Sequence, residues 1–225
     1  MNIAAVIFDF DELVAETAGL EFKAWSTIFA SFGVTLARDE FRKSVGAPSG
    51  HWDVVEYLNE LTGEVHDRAE MFGKQWTIYQ PACYELKPRP GLVPLLDDLQ
   101  ARQIPFGIAS NSRLPWVSKH LEILGLGDRF PVIVTREQVE NPKPAPDLLV
   151  EACRRLNAAP QRSVAMEASP YGIAAAKAAA MCCVACPSAL TKGLDFEKAD
   201  LVLGEIGLMS FELLAEATSR RPIRP

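Results

Sequence analysis

The stretch Val6-Ile7-Phe8-Asp9-Phe10-Asp11 decides how this chain is read: an apolar run that ends by delivering two carboxylates spaced by one residue. A strand has a side-chain period of two, so Asp9 and Asp11 start on the same side before the chain turns away. Two like charges that close favour a site holding a cation, a proton or both. Taken alone, the pair also suits an ordinary buried strand followed by a capping or turn aspartate. Residues later in the chain choose between these readings.

Working outward, Val/Ile-rich runs alternate with longer segments of helical period, the pattern of βα units around a parallel sheet. Strands are expected at 3–9, 104–109, 131–134, 163–167, 182–186 and 200–203, and helices at 92–102, 114–124, 145–157, 170–180 and 208–218. The exception is 17–84, where helical period runs through Phe22, Trp25, Ile28, Phe29 and Phe32, then through 52–62 and 65–80, with no convincing strand. It reads as a helical insertion, hinged just after Asp11 and at Lys87-Pro88-Arg89-Pro90-Gly91. The fold class is therefore α/β, with a Rossmann-like core over 1–16 and 85–225 and the insertion over 17–84. The tail Arg220-Arg221-Pro222-Ile223-Arg224-Pro225 is expected to fray.

Composition narrows the function classes. The chain has 225 residues, 48% of them hydrophobic, and a formal net charge of −6, with no Lys/Arg block of the kind that marks a nucleic-acid binder. No stretch approaches the ~20 apolar residues of a membrane span, and the N-terminus carries no leader pattern. A cytoplasmic protein, monomeric or weakly dimeric, is the expectation. Five cysteines are an odd number better suited to reduced thiols than to a disulfide framework. Cys183 and Cys186 have zinc-knuckle spacing, but no second Cys/His pair completes four ligands, so Cys182-Cys183-Val184-Ala185-Cys186 reads as a buried strand. His51, His66 and His120 are scattered, His66 and His120 in helix-like sequence, and read as surface or partly buried.

In an open parallel sheet, ligands sit outside the carboxyl ends of the strands, where this sequence concentrates polar side chains. The first strand ends at Asp9 and Asp11, the second at Ser110-Asn111-Ser112 before a helix whose N–H groups favour an anion. After the third comes Asn141-Pro142-Lys143-Pro144-Ala145-Pro146-Asp147, a lysine between prolines, and the fourth ends at Glu167-Ala168-Ser169-Pro170. Together they place carboxylates, a hydroxyl and an ammonium around one small volume.

These segments resemble the haloacid dehalogenase superfamily, particularly the subgroup with a helical cap inserted after the first motif, to which β-phosphoglucomutase and the CbbY-like sugar phosphatases belong. The resemblance rests on Asp9-Phe10-Asp11 with Thr17, on Ser110-Asn111-Ser112-Arg113, on Val134-Thr135-Arg136-Glu137 leading to Lys143-Pro144-Ala145-Pro146-Asp147, and on Glu167-Ala168-Ser169-Pro170-Tyr171-Gly172-Ile173. It implies a Mg²⁺-dependent phosphatase or phosphomutase acting on a small phosphorylated metabolite such as a sugar phosphate. Asp9 would be the nucleophile toward phosphorus and Asp11 the acid and base. Ser110 with the Asn111 backbone would hold phosphoryl oxygens, and Lys143 would neutralise their charge. Mg²⁺ would be held by Asp9, the Asp11 carbonyl and Glu167. Candidates for substrate contact are Arg113, Glu16, His51 and Lys74, with Arg42, Lys43 and the turn Gly46-Ala47-Pro48-Ser49-Gly50 beside them.

Two departures from the family pattern bear on activity. The fourth motif has Ala168 where an acid is usual, and the residue after Asp11 is Glu12 where glycine is usual. The first removes a metal carboxylate and the second adds negative charge near the expected phosphate. Either Glu167 or an inward-folded Glu12 takes over as ligand, or the site is catalytically weakened and the protein serves to bind. A 2-haloacid dehalogenase, which acts on carbon without Mg²⁺, is the other alternative, and Asp11 argues against it.

Overall fold

The computed structural model describes residues 3–48 and 50–219; Ser49 and the tail 220–225 lie outside the described residues. Six strands form one parallel sheet in the order β3-β2-β1-β4-β5-β6. They are β1 (Val6–Phe8), β2 (Phe106–Ser110), β3 (Ile133–Thr135), β4 (Val164–Glu167), β5 (Cys182–Ala185) and β6 (Leu201–Val202). Strand β1 is central, with Val6 opposite Phe106 on one side and Val164 on the other. Being covered on both faces, β1, β2, β4 and β5 are buried along their whole length. That burial is why they read as apolar runs rather than alternating ones.

After β1 come the four helices of the insertion: α1 (Thr17–Ser31), α2 (Arg38–Phe41), α3 (Val54–Thr62) and α4 (Arg68–Cys83). They enclose an apolar cluster of their own around Trp25, Ile28, Phe29, Phe41, Val55, Leu58 and Met71. The remaining helices are α5 (Leu92–Ala101), α6 (Leu114–Ile123), α7 (Asp147–Arg155), α8 (Pro170–Ala178) and α9 (Phe211–Ser219). The sheet separates two further clusters: Phe8, Phe10, Leu96 and Val117 belong to one, Ile7, Leu149, Ile173 and Cys183 to the other.

Four helix starts differ from the sequence reading, each for a local reason. Helix α3 begins at Val54 rather than 52, capped by the Asp53 carboxylate, which accepts the Val55 and Glu56 N–H groups. Helix α4 begins at Arg68 rather than 65 because the Asp67 carboxylate accepts the Glu70 N–H and caps it. His66 thus precedes the helix. Helix α7 begins at Asp147 rather than 145, after the prolines at 144 and 146. Helix α9 begins at Phe211 rather than 208, with Ser210 Oγ accepting the Leu213 N–H. His120 also departs from expectation: it is 1% exposed, drawn into the interior by partners described below. The five cysteines are buried and none is in a disulfide.

Both connections to the four-helix segment are fastened at one point. Arg89, itself buried, donates to the carbonyls of Glu12 (2.7 Å), Cys186 (2.7 Å) and Pro187 (3.0 Å). A single guanidinium therefore ties the exit from β1, the loop that returns from the insertion and the end of β5.

Candidate active site

The strand order reverses direction between β1 and β4, and the crevice at their carboxyl ends is where an open α/β sheet binds ligands. Asp9 and Glu167 meet there. Lys143, from the loop after β3, reaches between them, with Nζ 2.9 Å from Asp9 Oδ1 and 2.8 Å from Glu167 Oε1. Lys143 is 1% exposed and Glu167 fully buried. Burial alone would depress the Lys143 ammonium, but the facing carboxylates of Asp9 and Glu167 reverse this and hold it above the ordinary lysine value. Burial lifts the Glu167 carboxyl well above the usual range; Lys143 opposes the rise and the Asp9 charge adds to it.

The lysine loop is fixed by Asn111. Its side chain accepts the Lys143 N–H at 2.8 Å and donates to the Lys143 carbonyl at 2.9 Å. The same amide donates to Gly46 O at 3.0 Å, so one residue joins β2's end, the lysine loop and a turn of the helical insertion. Gly46 is needed there: its φ is +70°, and a Cβ would lie 2.3 Å from Ser169 Oγ. Ser110 is buried at the end of β2, where its Oγ accepts the Ser112 N–H at 3.0 Å.

Asp11 is held by three donors. Oδ1 accepts from Thr17 Oγ1 at 2.6 Å and from Trp116 Nε1 at 2.9 Å, and Oδ2 accepts from Ser112 Oγ. Behind Trp116 lie two more rings. Tyr79 stacks on it with centroids 5.4 Å apart, and the His120 ring sits 4.1 Å away. The Tyr79 hydroxyl is 2.7 Å from His120 Nε2, and His120 Nδ1 is 2.8 Å from the Trp116 carbonyl. Burial lowers the His120 pKa, which suits a neutral ring accepting at Nε2 and donating at Nδ1. Trp116 was not singled out in the sequence, although Trp116 and His120, four residues apart, share one face of α6.

The two departures from the family pattern have local explanations. Glu12 has φ +63°, the left-handed region that glycine adopts without strain. Its side chain turns away from Asp9: Oε1 accepts from Ala18 N at 2.9 Å and Gly19 N at 3.3 Å in the first turn of α1, and Oε2 accepts from Ser188 Oγ. Burial pushes this carboxyl up to about 7, against the lowering by Ser188. Of the outcomes the sequence left open, the one in which Glu12 supplies the missing metal carboxylate is not favoured, since both its oxygens are engaged by the start of α1 and by Ser188. Ala168 is fully buried in the apolar cluster that contains Phe10 and Met166.

Glu167 is packed against α8, where a Cβ at Gly172 would lie 1.7 Å from its Oε2. That oxygen is buried and accepts no hydrogen bond, as a carboxylate awaiting a cation would be. Among the described residues no group of three or more His, Cys, Asp or Glu side chains is placed to hold a metal ion. The pair Asp9 and Glu167 matches the one or two carboxylates with which Mg²⁺ is commonly held beside substrate phosphate.

The remaining candidates lie further out. Arg113 borders a surface cleft with Pro48, Arg136, Glu137 and Pro142, next to Asn111. His51 is exposed, its ring 5.5 Å from that of Tyr171. Glu16 is exposed and lies 3.9 Å from the Arg89 guanidinium. Lys74 is not brought to the site: it pairs with Glu70 at 2.7 Å and covers the Phe32 ring. Arg42 bonds Asp39 and the Lys192 carbonyl, and Lys43 pairs with Glu40.

Comparison with known proteins places this geometry in a family. Residues 6–186 match the haloacid dehalogenase-like hydrolases. Protein YhcW of Bacillus subtilis (strain 168) is 35% identical over 214 residues, covering 95% of this chain and 97% of that one. A phosphorylated carbohydrates phosphatase of Thermotoga maritima is 30% identical over 177 residues, 78% of this chain and 81% of that one. Among solved structures, a CbbY variant from Rhodobacter sphaeroides in complex with xylulose-(1,5)bisphosphate superposes with a TM-score of 0.77 at 27% identity, covering 93% of this chain and 97% of that one. With four motif segments converging on one crevice and a family match over most of its length, the chain belongs to the haloacid dehalogenase-like hydrolases and is an enzyme of that family.

Proposed function

We propose that the protein is a Mg²⁺-dependent phosphatase of a small phosphate monoester such as a sugar phosphate, working through an aspartyl-phosphate on Asp9. The observation that carries this reading is the buried Asp9–Lys143–Glu167 arrangement at the switch point of the sheet, with Asp11 beside it. Oδ1 of Asp9 is engaged by Lys143 and by the Phe10 N–H at 2.9 Å, so attack on phosphorus falls to Oδ2. As the new O–P bond forms, the bond from phosphorus to the leaving-group oxygen breaks, and Asp11 gives that oxygen a proton. Asp11 then takes a proton from the water that attacks phosphorus, and the bond to Asp9 breaks to release inorganic phosphate. Lys143 and Ser110 stabilise the charge gathered on the phosphoryl oxygens. Mg²⁺, held by the Asp9 carboxylate, the Asp11 carbonyl and Glu167, would supply further charge neutralisation at the same oxygens.

The segment 17–84 acts as a cap in this reading. The Asn111–Gly46 bond and the His51–Tyr171 contact support a cap that closes on the strand ends, and Arg113 at the rim would contact the leaving group. One relative named above is a phosphorylated carbohydrates phosphatase and one structural neighbour binds xylulose-(1,5)bisphosphate, and this supports the substrate class. Hydrolysis is preferred to phosphate shift because one of the relatives named above is a phosphorylated carbohydrates phosphatase.

The test is phosphate release from a panel of sugar phosphates and aryl phosphates with Mg²⁺ and with EDTA. Mg²⁺-dependent release that is lost in Asp9→Asn is expected. Chloride release from a 2-chloroacid in EDTA, without phosphate release, would instead establish the dehalogenase reading. Phosphometabolite binding without turnover would establish a silent binding protein.

A further inference from the structure

Of the three donors on Asp11, two are hydroxyls, which rotate and can accept as readily as donate. Trp116 differs. Its indole nitrogen is donor-only and belongs to a planar ring whose orientation is set by its surroundings. Those surroundings are the stacked Tyr79 ring from α4 and the His120 ring one turn along α6. The Tyr79 hydroxyl donates to His120 Nε2, which leaves His120 Nδ1–H directed at the Trp116 carbonyl. All three rings are thus fixed relative to one another, and one of them comes from the helical insertion.

A donor-only group facing Oδ1 has a consequence for catalysis. A carboxylic proton cannot sit on an oxygen that already faces an N–H and the Thr17 hydroxyl without two hydrogens meeting. When Asp11 carries its proton, that proton is directed to Oδ2, the oxygen beside Ser112, whose hydroxyl can turn to accept. We infer that Trp116 is a positioning residue for the reaction: its indole N–H, seated by Tyr79 and His120, assigns the transferable proton of Asp11 to Oδ2 and aims it at the leaving-group oxygen. The leaving group then enters on the Ser112 side of Asp11, and the seating of α4 through Tyr79 sets the alignment of the acid. The inference rests on Asp11 being the acid that protonates the leaving group.

That role is separable from a structural one by the leaving group. Departure of p-nitrophenolate needs little protonation, whereas departure of phenolate needs much more. The parameter kcat/KM reports steps up to and including loss of the phenol, before water attacks Asp9. In Trp116→Phe, which keeps an aromatic ring and removes the N–H, kcat/KM for phenyl phosphate should fall about tenfold with that for p-nitrophenyl phosphate within about twofold. Tyr79→Phe, which keeps the stacked ring and removes the hydroxyl, should show the same selective loss at about threefold. It carries the test if Trp116→Phe fails to fold. Equal losses on the two esters, or none on either, overturn the positioning role while the phosphatase reading stands. A wild-type enzyme inactive toward both esters and toward sugar phosphates overturns the phosphatase reading and this role together.

Discussion

At the scale of single residues, the proposed Mg²⁺ dependence puts Ala168 to the test, because it stands where the family pattern has an acid. Its methyl is fully buried beside Phe10 and Met166, so an aspartate there is a desolvated charge unless a cation meets it. Ala168→Asp should therefore act in two ways at once. The Mg²⁺ concentration for half-maximal phosphatase activity should fall about tenfold. In EDTA, the variant should be destabilised by on the order of 3 kcal/mol, with the lost Tm restored by Mg²⁺. Thermal melts with and without the ion, together with Mg²⁺ titration of activity, test both halves. A variant whose Tm ignores Mg²⁺ would show that position 168 does not face the ion.

At the scale of elements, helix α8 is the wall that fixes Glu167. The glycine at 172 lets the helix lie directly against the carboxylate, since any Cβ there would be 1.7 Å from Oε2. Gly172→Ala must then shift the helix or turn Glu167 away from Lys143. Overpacking of this kind costs about 1–3 kcal/mol, measurable by urea unfolding. Because Lys143 would lose one of its two carboxylates, phosphate release should fall about tenfold or more. Unchanged activity would mean that Glu167 adjusts freely and that its contact with α8 is incidental. The same helix start is capped by Ser169, whose Oγ accepts the Gly172 N–H at 3.1 Å.

For the whole molecule, two acids with raised pKa, Glu12 buried and Glu21 partly buried, make stability fall as pH rises. Burial, then the charges of Asp11 and Glu12, push the Glu21 carboxyl on α1 up to about 8. Its unfolded value is near 4.5, so the folded state binds a proton that the unfolded chain releases across that interval. Stability from this group is complete below pH 4.5 and is lost as pH rises through about 8. Glu12, raised to about 7, acts in the same direction. Glu21→Gln should flatten the decline in Tm between about pH 5 and 8, recovering roughly 1–3 kcal/mol at pH 8 once partial solvent contact is allowed for. A wild-type Tm that rises over that range would contradict the assignment.

Much of the protein follows from local sequence. Strand runs, the helical character of 17–84, and the polar residues at strand ends are all encoded within a few positions of themselves, because periodicity and strand termini depend on short-range geometry. For the same reason the apolar Cys182–Cys186 run reads correctly as a strand. The tertiary structure alone decided which polar groups meet. Glu12 is captured by the N-terminus of α1 and Ser188, Trp116 reaches Asp11, Tyr79 reaches His120, and Arg89 gathers three carbonyls. These partners are far apart in the chain, and a hydrogen bond requires its two groups within about 3 Å, a condition that only the packed fold sets.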